Sequence, residues 1–313
     1  MSNKYLPEGS LIATAENREY IRSIAGLERA RAEGKILEGI VTKCDPDTMC
    51  LHLDLYGIEG IIEREECLYG GEIKDIAIIT RVGKSVAFKV LQIESKDGKP
   101  MAILSRREAQ RECLENYILD LCPGDIIPAK ITHFEPFGAF LDVGCGIASL
   151  MSVDSVSVSR IASPRERFYE REELKVIVKS IDYDTGRIYV STKELFGTWE
   201  ENVSEFSAGQ TVFGIIRSVE SYGIFVELAP NLAGLAELKD GVSVGQSCAA
   251  YIKSIMPEKM KIKLVIIDTY DNLPPPNTKK YYRIDTEKIS HISSWRYSPK
   301  NCEKIVETIF DQV

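Results

Sequence analysis

One pattern occurs twice in this 313-residue chain at a fixed offset. Residues 124–150 (GDIIPAKITHFEPFGAFLDVGCGIASL) align without a gap on residues 209–235 (GQTVFGIIRSVESYGIFVELAPNLAGL). Gly124 and Gly209 are 85 residues apart, as are Gly138 and Gly223, and Asp142 and Glu227. A weaker third copy begins at Gly34 and places Asp54 88 residues before Asp142. Each copy is followed by a second β-like run, at 84–105, 173–191 and 246–267. A repeat of this kind is read as one structural unit copied along the chain.

Within each unit Val, Ile, Phe and Leu alternate with polar residues, and Gly, Asp and Asn punctuate the runs. That is the signature of short half-buried strands. About five such strands in roughly 60–75 residues suit a closed or partly closed barrel, which removes unpaired sheet edges. The resulting division is an N-terminal helical segment (1–33), a first barrel (34–107), a helical connector (108–123) and a second barrel (124–197). A second helical connector (198–208), a third barrel (209–268) and a C-terminal extension (269–313) follow. Ser105 is placed to cap a helix over 106–121, and Ser191 one over 192–206. Tyr20, Ile24 and Leu27 form one stripe of a helix over about 15–33. A stiff Pro-Pro-Pro linker at 274–276 precedes an aromatic-rich piece over 279–297. A final helix is expected from Ser298 and Pro299, with Cys302, Ile305, Val306 and Ile309 as its apolar face.

The chemistry is concentrated in Phe137-Gly138-Ala139-Phe140-Leu141-Asp142-Val143. In a strand Leu141 and Val143 share the barrel interior, so Phe140 faces outward. Gly138 is the expected site of a bulge that turns Phe137 outward as well. Two aromatic rings outside a small barrel are poor core material and a good platform for stacking unpaired bases. Tyr222 and Phe225 repeat the device. The basic candidates for phosphate contact are Lys130 and Arg187 in the second unit and Arg217, Lys261 and Lys263 in the third. Arg165 and Arg167 lie in a second patch over 160–171. The mixed cationic and aromatic groups over 279–283 and 295–297 are expected to pack against the third barrel.

The full pattern runs Gly, about thirteen residues, then aromatic-Gly-apolar-Phe-apolar-acid-apolar. It ends, best in the second unit, as Ile181-Asp182-Tyr183-Asp184-Thr185-Gly186-Arg187-Ile188-Tyr189-Val190-Ser191. This resembles the S-one RNA-binding domain, named after the largest protein of the bacterial small ribosomal subunit. The longer runs 157–161, 195–202 and 230–238 are similar to multi-repeat members of Gram-positive anaerobes. The resemblance covers about residues 34–267. It implies a mainly β chain of three tandem five-stranded oligonucleotide-binding (OB-fold) barrels joined by short helices, with a mixed C-terminal extension. It also implies single-stranded RNA binding in translation, on messenger or ribosomal RNA and near the small ribosomal subunit. The family's RNA face carries over to Phe137, Phe140, Asp182 and Arg187 in the second unit, with Ser152 in a histidine position and Ser149 in the preceding glycine position. In the third unit it carries over to Tyr222, Phe225 and Lys261, with Glu237 in the histidine position. The first unit departs, with Met49 and His52 in the aromatic positions and Glu63 in that of the histidine. An acid there repels phosphate, so the first barrel is expected to dock protein rather than RNA.

The formal net charge of −8 argues at first against a nucleic-acid binder. Resolved by segment, the connectors 108–123 and 198–208 each carry −3, so most of the excess lies off the barrels. Binding should therefore lean on stacking. No cofactor is called for, and the eight scattered cysteines, without a Cys-x-x-Cys pair, read as reduced core residues. An enzyme is disfavoured because repeats, connectors and tails use up the chain and no Walker loop, HExxH or nucleophile elbow is found. Asp45-x-Asp47 and Asp182-x-Asp184 are the remaining metal-pair candidates, each in a turn. The alternative function is an adaptor whose barrels dock ribosomal or RNA-processing proteins. The longest stretch without Asp, Glu, Lys or Arg is 241–252, too short to span a bilayer, and no apolar leader follows Lys4 and Glu8, so a cytoplasmic protein is expected.

Overall fold

The computed structural model describes residues 4–96, 98–271 and 282–310. Two helices, α1 (Ala15–Ile21) and α2 (Ile24–Glu33), precede the first barrel. That barrel comprises β1 (Leu37–Cys44), β2 (Leu51–Leu55), β3 (Ile58–Ile62), helix α3 (Asp75–Ile79), β4 (Ser85–Lys96) and β5 (Lys99–Ser105). Helix α4 (Arg106–Asn116) leads to β6 (Ile126–Glu135), β7 (Gly138–Asp142), β8 (Ala148–Ser152), the short α5 (Val153–Val156), β9 (Glu173–Asp182) and β10 (Arg187–Ser191). Helix α6 (Trp199–Val203) introduces β11 (Thr211–Glu220), β12 (Gly223–Ala229), β13 (Leu232–Ala236), β14 (Ser247–Met256) and β15 (Lys261–Tyr270). A two-stranded piece, β16 (Ser294–Arg296) and β17 (Glu307–Ile309), ends the described chain.

Each set of five strands closes into a barrel with the same order, first-second-third-fifth-fourth. The third and fifth strands run parallel and all other neighbours antiparallel. Alternation fills each interior. Leu51, Leu53, Phe88 and Leu104 pack in the first barrel, Ile131, Leu141, Met151 and Val178 in the second, and Ile216, Val226, Ile252 and Leu264 in the third. Each fully buried side chain of this size contributes roughly 1.5–3 kcal/mol of transfer free energy.

Gly138 has a different task from the one expected. It is not a bulge. It opens β7, opposite Glu135 and Ser152, and a Cβ there would stand 2.4 Å from the Met151 carbonyl oxygen. Glycine is required for that close approach. The bulge lies across the barrel edge instead, on β6 between Ile131 and His133. Phe137 is consequently a residue of the tight β6–β7 turn, not of the strand.

The helical segments hold with local changes. Ser105 caps α4 as expected, its Oγ accepting from the Glu108 amide at 2.8 Å. The N-terminal helix is two helices, because Ser23 caps a fresh start and accepts from the Gly26 amide. The connector at 192–206 is likewise broken at Gly197 (φ +78), with Thr198 and Glu201 forming a capping box for α6. Ser191 is buried and donates to the Ser155 carbonyl rather than capping a helix.

The expected C-terminal helix from Ser298 is absent. The Ser298 hydroxyl donates to the Lys304 carbonyl at 2.7 Å and accepts from the Val306 amide at 2.8 Å, which closes a loop. Residues Glu307–Ile309 then pair with Ser294–Arg296. Burial of Trp295 and Tyr297 against the third-barrel core fixes that strand, and its free edge recruits the following segment. Ile305 and Ile309, half of the supposed apolar face, stay exposed. The linker at 274–276 and Lys279, Lys280 and Tyr281 lie outside the described residues. Tyr282 packs on the second barrel, where its hydroxyl donates to the Lys175 carbonyl at 3.1 Å. The extension is therefore a strap across the second and third barrels.

Candidate nucleic-acid interface

Pairing register places the outward side chains of each barrel in a row across all five strands. In the second barrel the partners run His133–Phe140, Phe140–Leu150, Leu150–Tyr189 and Tyr189–Ser180. The third barrel repeats this as Ser218–Phe225, Phe225–Leu235, Leu235–Lys263 and Lys263–Ser254. The first runs Lys43–His52, His52–Ile61, Ile61–Ile103 and Ile103–Gln92. The three rows are position-for-position equivalents, with two, one and no Phe or Tyr rings respectively.

At the end of each aromatic row the β-turn residue adds a second ring. Phe137 meets Phe140 edge-to-face, with centroids 6.1 Å apart and planes at 83°. Tyr222 meets Phe225 at 6.1 Å and 87°. Phe137 and Tyr222 are 57% and 67% exposed, so most of each ring is open to a ligand. On the other side of Phe140, the His133 ring lies parallel at 4.7 Å, with an 8° tilt. Tyr189 and His133 were not singled out from the sequence. Tyr189 was within reach of it, because strand alternation sets it on the same face as Arg187. His133 was not, because its stacking depends on a cross-strand register that no local pattern encodes.

Among the other expected contacts, Lys263 is exposed in the third row itself, and Arg187 and Lys261 are exposed two residues before the rows on the fifth strands. Asp182 has a local duty: its carboxylate accepts from the Asp184 and Thr185 amides and from the Thr185 hydroxyl, closing the β9–β10 hairpin. The Thr185 hydroxyl bond, first, and these amides hold its carboxyl below the usual range. Asp45 makes the same turn, accepting from the Asp47 and Thr48 amides. Both supposed metal pairs are thus hairpin caps.

Four basic residues lie elsewhere, at the junctions between barrels or over other side chains. Arg167 and Arg217 both donate to one Glu227 oxygen, at 2.5 and 2.6 Å, and Arg217 also pairs with Glu166. Arg167 and Glu227 are about 5% exposed, so the segment after β8 is locked to the third barrel and neither arginine is open to phosphate. Lys130 donates to the Glu8 carbonyl at 3.2 Å, between the first two barrels. Arg165 lies 4.7 Å over the Phe134 ring and pairs with Glu170 at 3.2 Å. The causes differ: the acid of the repeat, Glu227, draws Arg167 from the preceding unit and Arg217 from its own barrel, whereas Lys130 and Arg165 are held by other neighbours.

The first two barrels share an equivalent lock. Arg106 bonds Glu8 at 2.6 Å, Arg81 bonds Glu8 at 3.3 Å, and Asp142 accepts the Glu8 amide at 2.7 Å. Burial, then the neighbouring Glu8, pushes the Asp142 carboxyl up to about 7. The first barrel has no Phe or Tyr on its row. Met49 leans on the core, and His52 is occupied by Glu59 at 2.8 Å.

The S1 RNA-binding domain family model matches residues 31–107 and 121–193, the first and second barrels. Small ribosomal subunit protein bS1 of Staphylococcus aureus (strain COL) is 26% identical over 300 residues, covering 89% of this chain and 74% of that protein. Small ribosomal subunit protein bS1 of Chlamydia muridarum is 25% identical over 253 residues, covering 77% of this chain and 44% of that protein. A multidomain protein with nucleic acid binding domains from Streptococcus pneumoniae is a solved structure at 14% identity and TM-score 0.24. It covers 76% of this chain and 75% of that one. The third barrel lies outside the matched segments but shares strand order, bulges and outward row with the other two. The first and second barrels thus match the S1 RNA-binding domain model, and the chain is similar to bS1 over most of its length.

Proposed function

We propose that this chain is a non-catalytic, cytoplasmic RNA-binding protein of translation, related in role to bS1, which engages single-stranded messenger or ribosomal RNA at the small ribosomal subunit. The observation that carries this reading is the same edge-to-face aromatic pair at the same turn of two barrels. Rings so exposed offer π-faces to unpaired bases and tolerate any base identity. Phe137, Phe140 and Arg187 in the second barrel, with Tyr222, Phe225, Lys261 and Lys263 in the third, form the proposed contact set. Among the described residues, no helix is long and apolar enough to cross a membrane.

A second reading is favoured for the first barrel alone. Its row is Lys43, His52, Ile61, Ile103 and Gln92, and Ile40, Ile76, Ile79 and Val82 are exposed elsewhere on the same unit. A row without Phe or Tyr, with exposed apolar residues on the unit, suits protein docking better than base stacking. Co-sedimentation of the full chain with small ribosomal subunits separates the two. Alanine at Phe137, Phe140, Tyr222 and Phe225 together is expected to remove most of the association. Association that survives those four changes, and is instead lost on placing charge at Ile76 and Ile79, would make the chain a protein-docking adaptor.

A further inference from the structure

We propose that the second barrel holds the backbone phosphate and ribose of one RNA nucleotide in a notch beside its aromatic row, on Lys179, Ser152 and Ser155, with Tyr189 as the adjoining stacking face. This rests on the RNA-binding reading above and adds a site to it.

The notch is created by a bulge that all three barrels share. On the fourth strand the register slips between Val90 and Gln92, between Val178 and Ser180, and between Ile252 and Ser254. The extra residues are Leu91, Lys179 and Lys253. A bulge re-aims its side chain, and here Lys179 and its neighbour Ser180 are both turned out of the barrel. Facing this position at the end of the third strand are Glu63, Ser152 and Glu237, each two residues beyond the row.

The three barrels fill this place differently. In the first, a leucine faces an acid. In the third, Lys253 is answered by Glu237 at 3.7 Å, so the charge is neutralised from within the barrel. In the second, the acid is replaced by Ser152. Lys179 donates to the Ser155 hydroxyl at 3.3 Å, and the Ser152 and Ser155 hydroxyls are 2.9 Å apart. Among the described residues no carboxylate lies within ion-pair distance of Lys179. A cavity of about 290 Å³ opens here, lined by Leu150, Ser152, Ser155, Lys179, Ser180 and Tyr189.

An ammonium and two hydroxyls around a cavity of that volume match an anionic oxygen with a neighbouring hydroxyl. A nucleotide whose base stacks on Phe140 or Tyr189 presents that pair. Tyr189 lies two strands from Phe140, about 10 Å at the usual strand spacing, which leaves room for successive bases along the row. The ammonium is a compact point charge suited to phosphate. The hydroxyl pair can both donate to and accept from a ribose 2′-OH, the group that tells RNA from DNA.

The test is fluorescence anisotropy of the full chain with labelled oligouridylate and oligodeoxyuridylate over a range of salt. Lys179→Met is expected to weaken RNA binding about fivefold and to flatten the salt dependence by about 0.7 in log–log slope, the value of one phosphate contact on a single strand. Ser152→Ala with Ser155→Ala is expected to narrow the preference for RNA over DNA. Glu237→Gln, which frees Lys253 in the third barrel, is expected to tighten binding about twofold. Unchanged affinity and slope for Lys179→Met, while Phe137→Ala with Phe140→Ala loses binding, would overturn the notch and leave the RNA-binding reading standing. Failure of the parent chain to bind oligouridylate at low salt would overturn both.

Discussion

Replacing Phe137 and Phe140 together by alanine is expected to cost about 2–6 kcal/mol of RNA affinity at the second barrel, at roughly 1–3 kcal/mol for each base–ring stack. The loss falls on binding and spares the fold. Phe137 stands in a turn with most of its surface in solvent, and Phe140 is outward on β7, half-buried, with His133 stacked on one face. Neither ring belongs to the buried cluster formed by Ile131, Leu141 and Met151. The variant should therefore melt close to the parent while its anisotropy titration with unstructured RNA shifts to much higher concentration. The remaining affinity measures the third barrel, where Tyr222 and Phe225 keep the same geometry. An unshifted titration would mean that the aromatic pair is not where bases stack.

Arg106→Ala is expected to be the most destabilising single change at the junction of the first two barrels, by about 3–5 kcal/mol. The Arg106 side chain is 2% exposed and Glu8 is 6% exposed. Besides Glu8, the guanidinium donates to the Cys67 carbonyl at 3.0 Å and the Gly146 carbonyl at 3.3 Å, so it ties three segments. Burial opposes the Glu8 charge. The Arg106 guanidinium is the largest influence that outweighs it, and keeps the carboxyl below its usual range. Without Arg106, Glu8 and Asp142 face each other with Arg81 alone between them, and both carboxyls are held above their unfolded values. An acid raised in the folded state is stabilising when protonated, and that contribution fades as pH rises through the folded value. The variant should therefore regain stability as pH falls from about 8 to about 5, a window set by the Asp142 value near 7. Thermal melts across that range check both the size and the sign. A variant that melts with the parent at every pH would show that the junction does not depend on the buried pair.

Much of the fold was legible because it is repeated. Gly138 and Gly223, Phe140 and Phe225, and Asp142 and Glu227 stand at one offset, and the structure puts each pair in one place on its barrel. What sequence could not show was the partner of each charge. Arg167 and Arg217 look like phosphate ligands until the fold brings Glu227 against them. Arg187 and Lys263 carry the same kind of charge and remain exposed on their fifth strands. The C-terminal apolar spacing at Cys302, Val306 and Ile309 fits a helix locally. It lost to strand pairing with Ser294–Arg296, a contact set by the non-local burial of Trp295. The row from His133 to Ser180 needed four cross-strand registers, including two bulges, before it could be drawn.

The central claim is that single-stranded RNA runs along the outward rows of the second and third barrels. Ultraviolet crosslinking of a labelled single-stranded RNA to the full chain, with the crosslinked peptides mapped by mass spectrometry, tests it most directly. The account predicts adducts at Phe137, Phe140 and Tyr189, and at Tyr222 and Phe225. Adducts confined to residues 34–107 or to the C-terminal strap, with those five rings unmodified, would contradict it.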